Sequence, residues 1–143
     1  MSEAVTFLRV RSGTHRYGLP LEHLSEVLDA DAVFPVPAAQ PALRGLMQVR
    51  DRLLPLVHLA ALLDGVAVPD AAGEVAVLVR AGDRELCVEV DDAETVVSAE
   101  LMGSGGDARA AWVLGVVRDE GRLLPVLDVP GLVARLMDSG GDR

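Results

Sequence analysis

An internal repeat with an offset of about 70 residues is the strongest constraint on how this chain folds. The segment Arg52-Leu53-Leu54-Pro55 corresponds to Arg122-Leu123-Leu124-Pro125, and Gly45 corresponds to Gly115, both at an offset of 70. Upstream the offset becomes 69, since Arg11-Ser12-Gly13 matches Arg80-Ala81-Gly82. The matching blocks occur in the same order in both halves, and their offsets differ by only one residue, which indicates a duplication. The chain is therefore predicted to contain two similar halves.

Each half opens with a predicted β-hairpin. Val75–Val79 is an uninterrupted apolar run of strand length, which predicts a strand buried on both faces. After a turn, apolar residues at positions 86, 88 and 90 alternate with Cys87, Glu89 and Asp91, the pattern of a half-exposed strand. The first half follows this pattern more roughly, with strands over residues 5–10 and 17–19.

A third strand and a closing hairpin complete each half. The third strands are predicted around residues 26–28 and 95–97, and the closing hairpins over 43–57 and 112–127. Between them we predict a loop with Pro35, Pro37 and Pro41 in the first half and a Gly-rich loop at 103–107, expected to be mobile, in the second. Short helices are expected at Leu59–Leu63 and Gly131–Met137. Asp128 is a good N-cap for the second, whereas His58 is a poor one for the first.

Five strands in each half predict a mainly β protein built from two small barrels, because closing a sheet removes its exposed edges. The first barrel is expected to comprise residues 15–70 with the N-terminal strand, and the second residues 71–138, with strand exchange between them left open. Residues 139–143 are expected to form a flexible tail.

Composition narrows the function classes. The net charge of −9 argues against nucleic acid and anionic membranes as partners, because both require basic surfaces. The charge is uneven: residues 1–70 carry eight acids and six arginines, and residues 71–143 carry fourteen acids and seven arginines. No apolar stretch is long enough to span a membrane and the N-terminus lacks a signal-peptide pattern, so we expect a cytoplasmic protein. The single cysteine, Cys87, is expected to be buried.

The sequence offers little that indicates catalysis. His15, His23 and His58 lack metal-ligand spacing and are interpreted as solvated or capping residues. The adjacent carboxylates Asp91 and Asp92 would point to opposite faces of a strand and are better placed at the entrance of a turn. No catalytic triad, zinc motif or nucleotide-binding loop is present, and no metal or cofactor is predicted. A small hydrolase using Asp91, Asp92 and a histidine is the remote alternative.

The polar tip of the first closing hairpin, Gln48 to Arg52, is the best candidate for recognition, because loops on a rigid sheet often carry binding residues. A solvated turn is the alternative. The residues that decide between them extend from about Thr6 to Met137, and their order and spacing are distinctive: Tyr17-Gly18-Leu19-Pro20, Leu24-Ser25-Glu26-Val27, Leu43-Arg44-Gly45, Val49-Arg50, Leu54-Pro55-Leu56-Val57, Val88-Glu89-Val90-Asp91, Leu114-Gly115-Val116 and Leu124-Pro125-Val126-Leu127-Asp128.

With these residues the chain resembles the CheW-like domain, the coupling adaptor of bacterial chemotaxis arrays. The resemblance implies a pair of five-stranded SH3-like barrels and a non-catalytic scaffold. Its expected partners are the regulatory domain of a CheA-like histidine kinase and the cytoplasmic tip of a methyl-accepting chemoreceptor, with recruitment to membrane-associated receptor arrays. An adaptor in a parallel pathway, such as gliding or pilus motility, or in a non-chemotactic system is the alternative.

The resemblance also implies the site. Arg50 and Glu26 match family positions implicated in partner binding, and Leu24 and Val27 are candidate apolar contacts, although a core role for both is equally expected. Gln48 and Asp51 flank the arginine and depart from the family's usual Asn-Leu-Arg-Gly. His58 stands where the family usually has aspartate. These departures indicate a divergent member.

Overall fold

The computed structural model describes residues 3–31, 33–36, 41–70, 73–103 and 112–141, and side chains only as far as residue 136. The described residues form eleven strands, two α-helices and a short 3-10 turn at Leu21–His23. The strands are β1 Glu3–Ser12, β2 His15–Pro20, β3 Leu24–Asp29, β4 Val33–Phe34, β5 Leu43–Val49, β6 Arg52–His58, β7 Val75–Ala81, β8 Arg84–Val90, β9 Asp92–Leu101, β10 Val113–Asp119 and β11 Arg122–Leu127; the helices are α1 Leu59–Asp64 and α2 Val129–Gly141.

The strands form two sheets that interleave along the chain. One sheet has the order β10-β11-β2-β1-β9 and the other β3-β7-β8-β6-β5-β4. Each sheet therefore takes its opening hairpin from the other half of the sequence: β1 and β2 join β9 to β11, while β7 and β8 join β3 to β6. The mainly β, two-sheet class predicted from the sequence is confirmed. The two-residue β4, which the sequence did not predict, raises the strand count of the second sheet to six.

The two sheets repeat one another in register. In each closing hairpin a glycine lies beside an irregularity in pairing, with Gly45 opposite Leu56 and Gly115 opposite Val126. A parallel strand pair then joins the closing hairpin to the exchanged opening hairpin, at Leu56 with Cys87 and at Val126 with Gly18. Leu56 and Val126 are related by the offset of 70, and Gly18 and Cys87 by the offset of 69, as in the sequence repeat.

The main core lies between the sheets. Its buried side chains come from both opening hairpins and both helices, as Tyr17, Val88, Leu59 and Leu132 illustrate. A smaller cluster that includes Leu56 and Cys87 belongs to the six-stranded sheet, and another that includes Phe7 and Val126 belongs to the five-stranded sheet. The exchanged hairpins thus fix the two sheets to each other through apolar burial.

Strand β8 differs from its predicted pattern. The alternation at 86–91 predicted a half-exposed strand, but residues Leu86 to Val90 are all buried. The prediction is wrong because β8 lies between β7 and β6 in the interior of the sheet and is covered on both faces. Glu89 is consequently a fully buried carboxylate. Buried Cys87 and the buried run in β7 agree with the sequence predictions.

Both helices begin with a side-chain cap at repeat-equivalent positions. Asp128 accepts a hydrogen bond from the backbone N–H of Gly131 at 3.2 Å, as predicted. His58, predicted to cap poorly, accepts one from the N–H of Ala61 through Nδ1, also at 3.2 Å. That prediction is wrong because the neutral imidazole supplies an acceptor nitrogen.

Helix α2 continues to Gly141, four residues beyond its predicted end. Residues 142 and 143 of the predicted tail lie outside the described residues. So do Pro37 in the first predicted loop and residues 104–107 in the Gly-rich loop.

Candidate partner-binding surface

The structure brings Arg50 and Glu26 into direct contact. Arg50 lies at the tip of the β5–β6 hairpin, and its Nη2 donates to Glu26 Oε1 in β3 at 2.5 Å. In strand order, β3 and β5 lie near opposite ends of the six-stranded sheet. The ion pair therefore joins two parts of a sheet that has curled round on itself. Both side chains remain accessible, with 63% of Arg50 and 38% of Glu26 exposed.

An ion pair this exposed contributes little to folding, typically about 0–1 kcal/mol. The ion pair is relevant to binding because Arg50 presents hydrogen-bond donors to solvent. A guanidinium has five N–H donors in a rigid plane, and the contact with Glu26 uses the Nη2 end. The remaining donors can bind an incoming carboxylate or carbonyl, while Glu26 fixes the direction in which the group points.

The backbone at this tip is unusual for its residue types. Arg50 has a φ of 56°, a left-handed conformation that non-glycine residues adopt at a cost. Asp51, which follows it, is not among the residues with positive φ. Positive φ at the first central position alone is the pattern of a type II′ hairpin turn. The Gln48 side chain supports the tip by donating from Nε2 to the carbonyl oxygen of Arg50 at 3.3 Å.

Exposed apolar side chains lie on the same sheet. Val27, Phe34 and Leu53 are 46%, 49% and 53% exposed. Leu53 is paired with Gln48, so both point to one face of the sheet. Val27 alternates with Glu26 and therefore points to the opposite face of β3. Leu24 is partly buried against the main core.

Of the six residues predicted for the site, Arg50, Glu26 and Gln48 are thus connected by hydrogen bonds and Asp51 adjoins them. Val27 is available on the surface, and Leu24 packs largely inward. The sequence did not single out Leu53 and Phe34, whose exposed side chains lie on the same sheet. The signal for Leu53 was present, because Leu53 and Leu54 are successive strand residues and one of them must face away from the core.

The five-stranded sheet carries a different charge arrangement. Arg9 donates from Nε to Glu94 and from Nη1 to Asp119, each at 2.8 Å, and Arg16 donates from Nε to Glu94 at 2.8 Å. The hydrogen bond from Arg16, followed by that from Arg9, lowers the pKa of Glu94. Exposed apolar side chains occur here too, namely Val96, Met102, Leu114 and Leu123.

A buried ion pair supports the six-stranded sheet from within. Glu89 is fully buried and its Oε2 lies 2.7 Å from Nε of Arg44, whose side chain is 13% exposed. The same carboxylate accepts from the backbone N–H of Gly73, and Arg44 donates from Nη2 to the carbonyl of Pro69, both at 2.8 Å. This pair fastens the segment that connects the two halves. The sequence did not reveal it, because Glu89 was expected on an exposed face.

The structural surroundings of Asp91 and Cys87 argue against a chemical role for either residue. Asp91 accepts from the backbone N–H of Gly13 at 2.7 Å and lies at the turn between β8 and β9. Burial raises the pKa of the Cys87 thiol to about 11, which makes it a poor nucleophile. Within the described ranges, no group of three His, Cys, Asp or Glu side chains is placed to hold a metal ion. The helices in this part of the chain are too short to cross a membrane.

The described residues thus form two interleaved small barrels with an accessible polar hairpin tip and exposed apolar side chains. The model of the CheW-like domain matches residues 6–137, and the chain therefore belongs to the CheW-like domain family. This is a family of non-catalytic scaffolds.

A solved structure agrees with the assignment of the fold. The crystal structure of the scaffolding protein TtCheW from Thermoanaerobacter tengcongensis is similar with a TM-score of 0.77 and 13% sequence identity, over 88% of this chain and 90% of that one. The SH3-like double-barrel fold expected from the sequence is confirmed. Among curated proteins, none matches this chain.

Proposed function

We propose that this chain is a non-catalytic adaptor that couples the cytoplasmic tip of a chemoreceptor to the regulatory domain of a CheA-like histidine kinase. It would work in the cytoplasm, at membrane-associated receptor arrays. The observation that carries the proposal is the Arg50–Glu26 pair, which combines two positions, 24 residues apart in sequence, that the family resemblance implicates independently.

The physical properties of the surface support this role. Apolar side chains such as Val27 and Leu53 supply area that a partner can bury, and their burial provides most of the affinity. Arg50, directed by Glu26, then selects partners and fixes the register of docking, because charged groups at an interface govern specificity more than affinity. His58 caps a helix, Asp91 lies at a turn and Cys87 is buried in the core.

The test is replacement of Arg50 by Glu. The variant reverses the charge and places two carboxylates together, so we expect at least tenfold weaker binding to the kinase regulatory domain or the receptor tip from the same organism. The thermal midpoint should change little, because the pair is exposed. Arg118→Glu is the matched control: it makes the same charge change at an exposed position of the other sheet and should bind as the wild type does.

Wild-type affinity in a folded Arg50→Glu protein would remove Arg50 from the site. Equal losses in both variants would show that overall charge, rather than this hairpin, controls binding. Turnover of a hydrolysable substrate that is lost on substituting Asp91 or Asp92 would favour the enzyme alternative.

An adaptor role in a parallel pathway, such as gliding or pilus motility, is the second candidate. It is favoured by Asp51, which places a carboxylate beside Arg50 where the family usually has glycine. Co-purification against kinase regulatory domains and receptor tips from several pathways of the same organism distinguishes the two. Binding only to non-chemotactic partners would support the second.

A further inference from the structure

A polar groove of about 520 Å³ opens on the five-stranded sheet, away from the Arg50 tip. Thr14, His15 and Arg16 form one wall, and Asp119, Glu120 and Arg122 form the other. The groove lies beside β2 and β11, which run parallel with a single register pair, Val126 with Gly18. Leu123, Leu124 and Pro125 give it an apolar lining.

The repeat places a different set of charges at the corresponding position of the other sheet. By the offsets of 69 and 70, Arg16 corresponds to Glu85 and Arg122 corresponds to Arg52. In the six-stranded sheet Arg52 and Glu85 form an ion pair that bridges β6 and β8. In the five-stranded sheet both positions are arginine, so the equivalent bridge cannot form.

Two arginine side chains at the groove keep N–H donors that no described residue uses. Arg9 binds Glu94 and Asp119, and Arg16 is attached to Glu94 through Nε alone among the described residues, with 46% of its side chain exposed. Arg122 is exposed and has no charged partner within the described part of the chain. Glu120 is 79% exposed and lies 3.7 Å from Arg9. The free donors are therefore those of Arg16 and Arg122, on opposite walls.

We propose that this groove binds an acidic peptide segment of a partner protein, with a carboxylate placed between Arg16 and Arg122. The carboxylate would pair with Arg122 as Glu85 pairs with Arg52 in the other sheet. A peptide fits better than a single small anion, because the volume is that of a site for a larger ligand and the apolar lining can contact neighbouring side chains. The proposal concerns a different sheet from the Arg50 tip and does not rest on the function proposed above.

The test is an NMR titration, at low ionic strength, in which the amide chemical shifts of the ¹⁵N-labelled full chain are recorded as a peptide is added. The probe is the peptide acetyl-GELELEG-amide, and its neutral control is acetyl-GQLQLQG-amide. We expect saturable shifts at Arg16, Arg122 and Leu123 with the acidic peptide only. Arg122→Glu should weaken binding at least about tenfold, the usual scale for a lost charged hydrogen bond.

The thermal midpoint of Arg122→Glu should be unchanged or higher, because the new carboxylate can pair with Arg16 as Glu85 pairs with Arg52. Arg118→Glu, which makes the same charge change outside the groove lining, should bind as the wild type does.

Three results would each overturn the proposal. They are an equal loss in the Arg118 and Arg122 variants, no saturable shifts in the wild type with either peptide, and inorganic phosphate binding as tightly as the acidic peptide.

Discussion

The closing hairpins of the two halves share a strand register but differ in charge and backbone at their tips. Val49 pairs with Arg52 in the first, and Asp119 pairs with Arg122 in the second. Between these pairs, the first tip has Arg50 with a φ of 56°, and the second has Glu120 and Gly121 with φ of 51° and 78°. Duplication thus preserved the strand register of the sheet, whereas the first central position of the turn diverged from Arg50 to Glu120, with opposite charge.

The halves also differ at the buried Arg44–Glu89 ion pair, and the largest expected effect comes from there. Arg44 corresponds by repeat to Leu114, which needs no ionic partner, while Arg44 neutralises the fully buried Glu89. Arg44→Leu makes the first half like the second at this position and leaves an uncompensated buried carboxylate. The expected cost is about 3–5 kcal/mol in the free energy of unfolding, measured with urea.

The double variant Arg44→Leu/Glu89→Met serves as the control, because removing both charges abolishes the buried-charge penalty. It should regain more than half of the lost stability. A single variant as stable as the wild type would show that the ion pair does not support the sheet.

The two glycines at the pairing irregularities test whether the repeat is structural. A Cβ added at Gly45 would collide with the carbonyl oxygen of Phe34, and one at Gly115 with that of Met102. Backbone cannot move aside easily, so Gly45→Ala and Gly115→Ala should each cost about 1–3 kcal/mol, the usual range for overpacking. Thermal or urea unfolding measures both. A large effect at one position and none at the other would contradict equivalent backbone geometry.

The two helix caps differ in chemistry: the imidazole of His58 caps α1, and the carboxylate of Asp128 caps α2. Burial is the main cause that lowers the pKa of His58 below its ordinary 6.5. The folded protein therefore binds this proton less readily than the unfolded chain, and His58 reduces stability as the pH falls below about 6.5 toward the folded pKa. His58→Asn, which keeps a capping oxygen but does not titrate, should show a weaker loss of stability over that pH window in urea unfolding.

His58→Ala measures the cap itself and should cost about 1 kcal/mol at neutral pH. If the pH dependence of His58→Asn matched that of the wild type, the His58 titration would play no part in acid sensitivity.

Exchanging the turn residues gives the smallest effect. Gly121→Asp forces a side chain into a backbone with a φ of 78° and should cost about 1 kcal/mol. Asp51→Gly needs no such conformation and should change the free energy of unfolding by at most about 0.5 kcal/mol. Equal and large effects in both variants would contradict the difference between the two turns.

The sequence predicted the elements better than their arrangement. Alternating and continuous apolar patterns located the hairpins, since they report on burial along one strand at a time. They could not show that the opening hairpins are exchanged between sheets, because Val77 or Leu19 requires a covered face but does not specify which strand covers it. The same limitation explains the error at Glu89, whose burial depends on the β6 neighbour that exchange provides.

The sequence identified residues of the candidate site, but it could not predict the contact between them. The family resemblance singled out Arg50 and Glu26 separately, yet their ion pair depends on the curvature of a sheet in which β3 and β5 are not neighbours. The cap formed by His58 could not be foreseen either, because it depends on which imidazole nitrogen faces Ala61. Leu53 could have been found from strand alternation alone.

The claim that the first hairpin tip is the docking surface is tested most directly by mapping a partner onto the chain. Amide shifts of the ¹⁵N-labelled protein are recorded with the kinase regulatory domain and, separately, with the receptor tip. If this tip is the docking surface, at least one of them perturbs Glu26, Val27, Gln48, Arg50 and Leu53. Perturbations confined to the five-stranded sheet with both partners would contradict it.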